Sequence, residues 1–404
     1  MAPLNALKSK VEKLRKGSYC GVLESYIFRM KELCQCHYRN PVFCILPPYI
    51  LQNVEKQGTD KQRKRARRAL LEDAHNRDAR RMVAARFRRL RAFFIRRRAL
   101  AARWQRRTGL KASTGRVQRS IYTANNGGRL PGQLLRAEGA KKTDDKAVDE
   151  AYDGLGKTYD LYSQVYDRDS LDGLGLPLVA TVHYKKDYDN AFWDGNQMIF
   201  GDGDGDLFNR FTISVDVIGH ELTHGVTQYE SSLVYRRQSG ALNESLSDVF
   251  GSLVKQYPNQ TADKADWLIG EGLFTNKVKP TGTAALRSMK DPGSAYDDPV
   301  LGKDPQPGHM ADYVRDPADH FGVHINSGIP NHAFYLAATK IGGFAWEKAG
   351  LIWYEAMTSP SLRSRARFIG FARLTVEVAG DLYGANSTEE NAVWEAWSEV
   401  GLNV

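Results

Sequence analysis

The chain has 404 residues, of which 42% are hydrophobic and 26% are charged, and its formal net charge at pH 7 is +10. This length allows two or three domains with substantial apolar cores. No apolar run is long enough to cross a bilayer as a helix, which excludes a helical integral membrane protein.

The charge is divided unevenly along the chain. Residues 1–111 contain 29 Lys and Arg against 8 Asp and Glu, whereas residues 112–404 contain 28 Lys and Arg against 39 Asp and Glu. A basic leader on an acidic remainder predicts that the leader docks on its own chain. We therefore separate a basic leader over 1–111 from the larger acidic region, and we call its residues 41–111 the basic segment.

The basic segment has two parts. Residues 41–51 form an apolar patch around the rigid pair Pro47-Pro48, and residues 61–107 are rich in arginine. Within the second part, four apolar residues recur at helical spacing: Val83, Phe87, Leu90 and Phe94. This pattern predicts a basic amphipathic helix. Such a helix could dock on the rest of the chain, contact nucleic acid or anionic lipid, or remain a solvated tail.

The predicted secondary structure of the acidic region changes near residue 218. A strand-like run over 178–184 and a helical pattern near 146–167 lie in its first part, over 112–218. From residue 219 to 404 the pattern is mainly helical, with apolar stripes over 330–341, 346–357, 364–383 and 388–399. We expect an α+β fold of two lobes, a mixed α/β lobe followed by a helical lobe, with a ligand cleft between them.

A metal-binding motif marks the junction of the two predicted lobes. His220, Glu221 and His224 form the pattern H-E-x-x-H. On a helix the two histidines share one face, so both can bind one ion, and Glu221 can take a proton from water bound to that ion. An apolar stripe at helical spacing supports a core helix here: Ile213, Val217, Ile218 and Leu222.

A second helical pattern follows over 241–250 and carries Glu244. Hydrolytic zinc sites use three protein ligands and leave one position open for water, so Glu244 is the predicted third ligand. Asp248 lies four residues further along the same face and can accept a hydrogen bond from a zinc-bound histidine; Asn243 is predicted to support the site as well. The alternative is a polar core helix whose histidines are simply hydrogen-bonded.

These motifs resemble those of the thermolysin-like metallopeptidases. The resemblance runs from about Ile121 to the C-terminus and rests on separate blocks: 190–193, 201–205, 220–224, 239–248, 286–289 and 322–328. It implies a two-lobed thermolysin-like (zincin) catalytic domain and one catalytic zinc ion.

The resemblance also implies catalytic roles beyond the zinc ligands. His324 is similar to the histidine that stabilises the tetrahedral intermediate, with Asp319 holding its ring, and Tyr235 is similar to the tyrosine that donates to the developing oxyanion. Preorganised donors of this kind are each worth about 3 kcal/mol of barrier.

Further residues of the resemblance concern the substrate. Arg287 is similar to the arginine that binds the substrate carbonyl after the cut, and Asn190 and Ala191 to the edge-strand residues that hydrogen-bond an extended peptide. The walls of the pocket for the residue after the cut are implied to be Phe208, Phe211, Val217, Ile269, Leu273 and Leu286. These walls are apolar, so a bulky apolar residue is expected there, although the same residues also suit an ordinary core.

The leader shows a shorter resemblance. Pro47, Pro48 and Tyr49, followed by a basic helical segment, resemble the short propeptide of the protealysin-type subgroup. This implies a zymogen in which residues 41–111 are an inhibitory propeptide that blocks the substrate cleft and is cut away between about Arg96 and Arg119. Residues 1–40 are then an N-terminal extension beyond what such a propeptide needs.

The sequence departs from the family at a calcium site. Asp216, Asp266 and Glu271 match three carboxylates of that site, but Lys255 stands where a shared fourth carboxylate is expected. An ammonium group cannot bind calcium and would neutralise the acids instead, and Ala284 replaces another ligand. We expect little or no structural calcium.

The sequence thus predicts a zinc-dependent neutral endopeptidase made as a zymogen, with no membrane span and without nucleic acid as a partner. Its expected partners are protein or peptide substrates and its own leader, and we expect a monomer. Residues 1–17 lack the apolar core of a signal peptide, so we expect synthesis in the cytoplasm and either export by a non-classical route or retention there. The rival interpretation is a binding protein with a structural zinc site.

Four cysteines, all in the leader, complete the sequence: Cys20, Cys34, Cys36 and Cys44. Free thiols, a leader disulfide and a Cys44 thiolate that caps the zinc ion all remain open. Met30 is an alternative start.

Overall fold

The computed structural model describes residues 43–72, 115–278, 281 and 283–404. Several predictions concern residues outside these ranges: the extension over 1–40, the amphipathic helix from Val83 to Phe94, most of the proposed cleavage region, and the other three leader cysteines besides Cys44.

A six-stranded mixed sheet forms the first lobe, and its spatial order is β1-β5-β6-β4-β2-β3. Its strands are β1 (Phe43–Cys44), β2 (Arg119–Thr123), β3 (Gln133–Ala137), β4 (Leu178–Val182), β5 (Ala191–Trp193) and β6 (Met198–Phe200). Strand β4 runs parallel to β2 and β6, whereas β5 is antiparallel to β6. The leader contributes β1, which pairs antiparallel with β5 at the sheet edge.

Two leader helices follow β1. Helix α1 (Pro48–Gln57) begins directly after Pro47, in keeping with the preference of proline for the first helical position, and residues 60–72 form α2. Helix α1 buries Ile50, Leu51 and Val54. These side chains join the main apolar core, so α1 packs against the rest of the described chain.

Helix α3 (Lys146–Asp160) packs on the sheet. The Asp145 side chain caps it by accepting from the backbone N–H groups of Ala147 and Val148. A π-helical turn over Leu161–Val165 continues it. The predicted helix near 146–167 is therefore present, but its last turn is π-helical.

Two central helices connect the lobes: α4 (Val215–Tyr229) and α5 (Arg237–Gln256). The predicted lobe boundary at residue 218 falls inside α4. The predicted apolar stripe is wrong at Ile213, which precedes the helix and is 39% exposed, because the extended backbone of Ser214 turns the chain before the helix starts.

The second lobe is helical, as predicted. Its helices are α6 (Ala318–Asn326), α7 (Gly328–Ile341), α8 (Lys348–Thr358), α9 (Phe368–Tyr383) and α10 (Thr388–Glu399), preceded by the 3₁₀ turn Met310–Asp312. Two short hairpins, β7 (Leu268–Ile269) with β8 (Arg287–Ser288) and β9 (Asp297–Asp298) with β10 (Gly302–Lys303), lie between the lobes in sequence. Within the described ranges, the helices are all too short or too polar to span a bilayer.

Candidate active site

Close packing of α4 against α5 builds the predicted metal site. A Cβ atom at Gly251 would lie 2.5 Å from the Asp216 carbonyl oxygen, and one at Gly219 would lie 3.1 Å from the Gly251 Cα. A side chain at Gly251 would collide with the Asp216 carbonyl, and one at Gly219 would be crowded by α5, so glycine at both positions permits this approach. The approach brings Glu244 on α5 to the two histidines on α4.

The three predicted ligands converge in the core. The candidate ligand atoms of His220, His224 and Glu244 all lie within 4.8 Å of one another. The two histidine Nε2 atoms are 3.0 Å apart, and each lies 3.5 Å from an oxygen of the Glu244 carboxylate. All three side chains are buried.

Hydrogen bonds to the other ring nitrogens suit these histidines to a metal ion. His220 Nδ1 lies 2.8 Å from Asp248, and His224 Nδ1 lies 2.9 Å from Asn243 Oδ1. With the protons on Nδ1, both Nε2 lone pairs point at the same space. Burial, and then the His220 ring, hold the pKa of His224 well below its usual value, so its ring is neutral and able to bind a cation. The donor set fits zinc.

Glu221 lies on the same helix and is fully buried. The backbone N–H of Trp193, on strand β5 next to the leader strand β1, donates to Glu221 Oε2 over 3.0 Å. This contact, which the sequence did not reveal, fixes the carboxylate between β5 and the histidine pair.

Three further predicted residues meet beside Glu244. The Tyr235 hydroxyl donates to Glu244 Oε1 and lies 3.1 Å from His324 Nε2. Asp319 accepts hydrogen bonds from both the Nδ1 (2.6 Å) and the backbone N–H (2.8 Å) of His324. Burial lowers the pKa of His324, but the carboxylates of Asp319 and Glu244 raise it more, to about 9. Tyr235 and His324 are therefore paired donors at one side of the site.

An unusual backbone holds Asp319 in place. Residues 319–322 all have positive φ, from 50° at Asp319 to 71° at Gly322. Such a left-handed turn is costly for the three residues that are not glycine, and strain of this kind concentrates at functional sites. Gly322 alone among these four residues is of a type that favours this conformation.

The leader occupies the cleft in an extended conformation. Ile45 donates its N–H to the Ala191 carbonyl over 3.2 Å and accepts from Arg287 Nη1 over 3.2 Å. Leu46 N–H donates to Asn190 Oδ1 over 3.1 Å. The predicted substrate-binding residues Arg287, Asn190 and Ala191 thus hold leader backbone.

One leader carbonyl reaches the centre of the site. The Cys44 carbonyl oxygen lies 3.2 Å from His324 Nε2. Beyond Leu46 the chain continues through Pro47 and Pro48, both buried, into α1, where Tyr49 is partly buried against the core. The predicted inhibitory residues Pro47, Pro48 and Tyr49 therefore follow directly on the segment that fills the cleft.

Ion pairs also join the leader to the acidic region, as its charge predicted. Arg65 lies 2.9 Å from Asp187 and 3.1 Å from Asp204. Gln62 donates to Asp206 over 2.9 Å.

All six predicted walls of the substrate pocket are fully buried in one apolar cluster that also contains Ile45: Phe208, Phe211, Val217, Ile269, Leu273 and Leu286. This burial suits a pocket and an ordinary core equally well, so their role in specificity remains a prediction.

At the position that matches the calcium site of the resemblance, Lys255 lies among the acidic side chains as the sequence predicted. Lys255 Nζ lies 2.6 Å from Asp266, 3.2 Å from Glu271 and 3.6 Å from Asp216. An ammonium group thus neutralises the three acids. The expectation of little structural calcium remains a prediction.

This arrangement, with two histidines one turn apart, a glutamate from the next helix and a buried Glu221, is typical of zinc metallopeptidases. Comparison with known proteins gives the family. Residues 107–228 match the thermolysin metallopeptidase catalytic domain, and residues 231–402 match the thermolysin metallopeptidase alpha-helical domain. The chain belongs to the thermolysin family of metallopeptidases.

Similar proteins support the assignment over nearly the whole chain. An extracellular metalloprotease of Pectobacterium carotovorum subsp. carotovorum is 48% identical, with 90% of this chain and 97% of the relative aligned. Protease PrtS of Photorhabdus sp. (strain Az29) is 54% identical over 71% of this chain and 77% of that protein. The structure of the protealysin precursor from Serratia proteamaculans matches with a TM-score of 0.76 and 49% identity, covering 89% of this chain and 99% of that one.

These findings confirm the predicted family, two-lobed fold and zinc dependence. The chain is a zinc-dependent metalloendopeptidase made as a zymogen.

Proposed function

We propose that His220, His224 and Glu244 hold the zinc ion, and that the enzyme cuts peptide bonds on the amino side of bulky apolar residues. The observation that carries this proposal is the convergence of the two Nε2 atoms and the Glu244 carboxylate beside His324, which contacts the Cys44 carbonyl. Bound there, zinc supplies a Lewis acid that polarises a carbonyl and lowers the pKa of water.

The protein's own residues carry the proton transfers. Glu221 takes a proton from the attacking water and delivers it to the leaving amine. Its fixed hydrogen bond from the Trp193 N–H supports this role, because the carboxylate is preoriented within the cleft.

Tyr235 and His324 stabilise the charge that develops on the carbonyl oxygen. The Cys44 carbonyl, at 3.2 Å from His324 Nε2, marks where a substrate carbonyl would lie. Asp319 keeps the His324 ring oriented through its 2.6 Å contact with Nδ1. Such preorganised donors act most strongly where water is excluded.

Substrates bind as the leader does, by adding a strand to β5. Ala191, Asn190 and Arg287 would hold the backbone on both sides of the residue after the cut, the position that Ile45 takes. In the zymogen, Ile45 and the following Pro47-Pro48-Tyr49 block these contacts, and cleavage between about Arg96 and Arg119 permits release.

We propose that the enzyme acts outside the cell as a monomer, with protein or peptide substrates and its own leader as partners and without binding nucleic acid. The extracellular location of its Pectobacterium relative supports the first point.

The test assays casein cleavage by activated enzyme that was prepared from the full-length chain. Activity is measured before and after a chelator is added, and again after zinc is restored. We expect activity to disappear with the chelator and return with zinc, and mass spectrometry of the products to find apolar residues after most cuts. Products without that preference would refute the assigned pocket, and activity that survives zinc removal would refute the metal ligands.

A further inference from the structure

The leader holds one arginine in an acidic site beside the substrate cleft. On α2, Arg65 donates from Nη2 to Asp187 over 2.9 Å and from Nη1 to Asp204 over 3.1 Å. The side chain of Arg65 is 11% exposed and that of Asp204 is 1% exposed. Two separate carboxylates thus accept from the two prongs of one guanidinium group, an arrangement that suits arginine better than lysine.

A turn of the first lobe fixes one of these carboxylates. Asp204 Oδ1 accepts from the backbone N–H groups of Asp206, Leu207 and Phe208 over 2.9, 2.7 and 3.1 Å. The other oxygen of Asp204, Oδ2, is the one that accepts from Arg65. Because the bonds that orient Asp204 lie outside the leader, we expect its carboxylate to keep this orientation when the leader is gone.

A third carboxylate shows that the site needs a cation. Asp189 is 6% exposed, and its Oδ1 atom accepts no hydrogen bond from the described residues. Burial, and then the charge of Asp204, raise the pKa of Asp189 well above its usual value, whereas Arg65 lowers it. Among the described residues, no cation other than Arg65 lies within 4.0 Å of the Asp187 or Asp204 carboxylate. Loss of the leader would therefore leave acidic groups without a counter-charge, which is costly for buried carboxylates.

The acidic site is continuous with the substrate cleft. Asp189 directly precedes Asn190, which holds leader backbone in the cleft, and Asp204 is bonded to the N–H of the predicted pocket wall Phe208. The leader occupies both places at once, with Ile45 in the cleft and Arg65, 20 residues later, in the acidic site. A polypeptide that runs in the same direction as the leader therefore reaches the acidic site with residues that follow the cut.

We propose that this site, once the leader has left it, binds an arginine side chain of a protein substrate on the C-terminal side of the cut. The inference rests on the proposed function, which gives the direction of the peptide and the release of the leader. Neighbouring contacts suit a basic segment around that arginine, because Arg68 donates to the Lys186 carbonyl over 3.0 Å in the leader complex. The enzyme would thus bind long substrates with a basic segment more tightly than short peptides with the same cut site.

The test uses three fluorogenic substrates that share one cut site, followed by a flexible Gly/Ser spacer and a tail with the sequence of residues 60–72. The tails carry Arg, Lys or Gln at the position of Arg65, which the spacer places about 20 residues after the cut. With the activated enzyme, we expect KM to be about tenfold lower for the Arg substrate than for the Gln substrate at unchanged kcat, because tail binding raises the local concentration of the cut site. The Lys substrate should resemble the Gln substrate, since an ammonium group lacks the two-pronged contact.

Variants assign the preference to the acidic site. D187N/D204N should give equal KM values for the Arg and Gln substrates, and asparagine at position 204 keeps an oxygen for the three N–H groups of the turn. D187N alone, which leaves the turn unaltered, should already reduce the preference, and D153N, at an exposed position of α3, should retain it. Equal KM values for the Arg and Gln substrates in the unaltered enzyme, or a preference that D187N/D204N retains, would overturn the proposal. Cleavage of the Gln substrate by the unaltered enzyme reports on the proposed function alone, so the two failures are distinguishable.

Discussion

Arg287 and Asp248 form a two-pronged ion pair in the core, with Nε and Nη2 of the arginine each 2.8 Å from a different carboxylate oxygen. The same carboxylate accepts from His220 Nδ1 over 2.8 Å and from Asn331 Nδ2 over 2.8 Å. Burial opposes the charge of Asp248, yet Arg287 and His220 hold its pKa below the usual range. One carboxylate therefore joins a proposed zinc ligand to the arginine that grips the leader backbone.

This link predicts a double effect for Asp248→Asn. We expect zinc affinity to fall about 10- to 100-fold, because the His220 ring loses its charged partner. KM should rise in the same variant, because Arg287 loses its anchor. Chelator competition and steady-state kinetics measure the two effects. Asp381→Asn, at an exposed position, is the control, and an unchanged KM in Asp248→Asn would show that the link does not reach the substrate.

Glu221→Gln should separate zinc binding from catalysis. We expect kcat/KM to fall about 10²- to 10⁴-fold, since the amide cannot act as the base. Zinc content should stay near one ion per chain, because Glu221 is not among the three converging ligands. The variant leader should also remain uncut in pure preparations. The matched control is the exposed Glu377→Gln, and normal turnover by Glu221→Gln would refute the assigned base.

Ile45→Asp should weaken inhibition by the leader. Ile45 is fully buried, so the substitution would place a charge without a partner in an apolar site. For a synthetic peptide of residues 41–72 added to activated enzyme, we expect the inhibition constant to rise about 100-fold, equivalent to about 2.7 kcal/mol. Gln52→Asp, on the exposed face of α1, should have little effect. Equal inhibition by both variants would exclude Ile45 as an anchor.

Local spacing predicted that His220 and His224 meet, because they are one helical turn apart. The helices over 330–341 and 388–399 were also predicted closely, as Gly328–Ile341 and Thr388–Glu399, because their apolar stripes are strong. The position of Glu244 required a relation over 20 residues, which the resemblance supplied and the contact of Gly219 with Gly251 explains.

Other features depend on long-range contacts that no local pattern encodes. The predicted strand over 178–184 ends at Val182, because His183 adopts a φ of 52° and lies between two carboxylates. The bond from Asn331 to Asp248 spans 83 residues, and the pairing of leader strand β1 with β5 spans about 150. Neither could be read from the sequence before the fold was known.

His183 also predicts a pH dependence of stability. The hydrogen bond that His183 donates to Asp202, aided by the one to Asp145, raises the pKa of His183 to about 9, above the value of about 6.5 for an unfolded chain. The resulting stabilisation is therefore fully present below about pH 6.5 and is lost as the pH rises through 9. Because all three side chains are partly exposed, we expect on the order of 1 kcal/mol.

Urea unfolding of the precursor at pH 6 and pH 10 tests this, with His183→Asn as the variant because asparagine tolerates positive φ. The difference in unfolding free energy between the two proteins should be clear at pH 6 and small at pH 10. A difference that is equal at both values would mean that the His183 charge contributes nothing.

Lys255 gives a test of the calcium prediction. Lys255→Met should destabilise the chain by about 3 kcal/mol, since it leaves the fully buried Asp216 without its cation. Lys255→Glu would assemble a fourth carboxylate, so its melting temperature should rise with added calcium, whereas that of the unaltered chain should not. Lys264→Glu, at an exposed position, is the control. A calcium-dependent melting temperature in the unaltered chain would refute the prediction.

The ammonium group of Lys255 is part of the polypeptide, so neither dilution nor a chelator can remove it. A chain that bound calcium at this place would depend on the calcium content of its surroundings, whereas the ammonium group of Lys255 is covalently part of the chain. The enzyme should therefore stay folded in media that contain few metal ions. Removal of zinc there would abolish its activity without unfolding the chain.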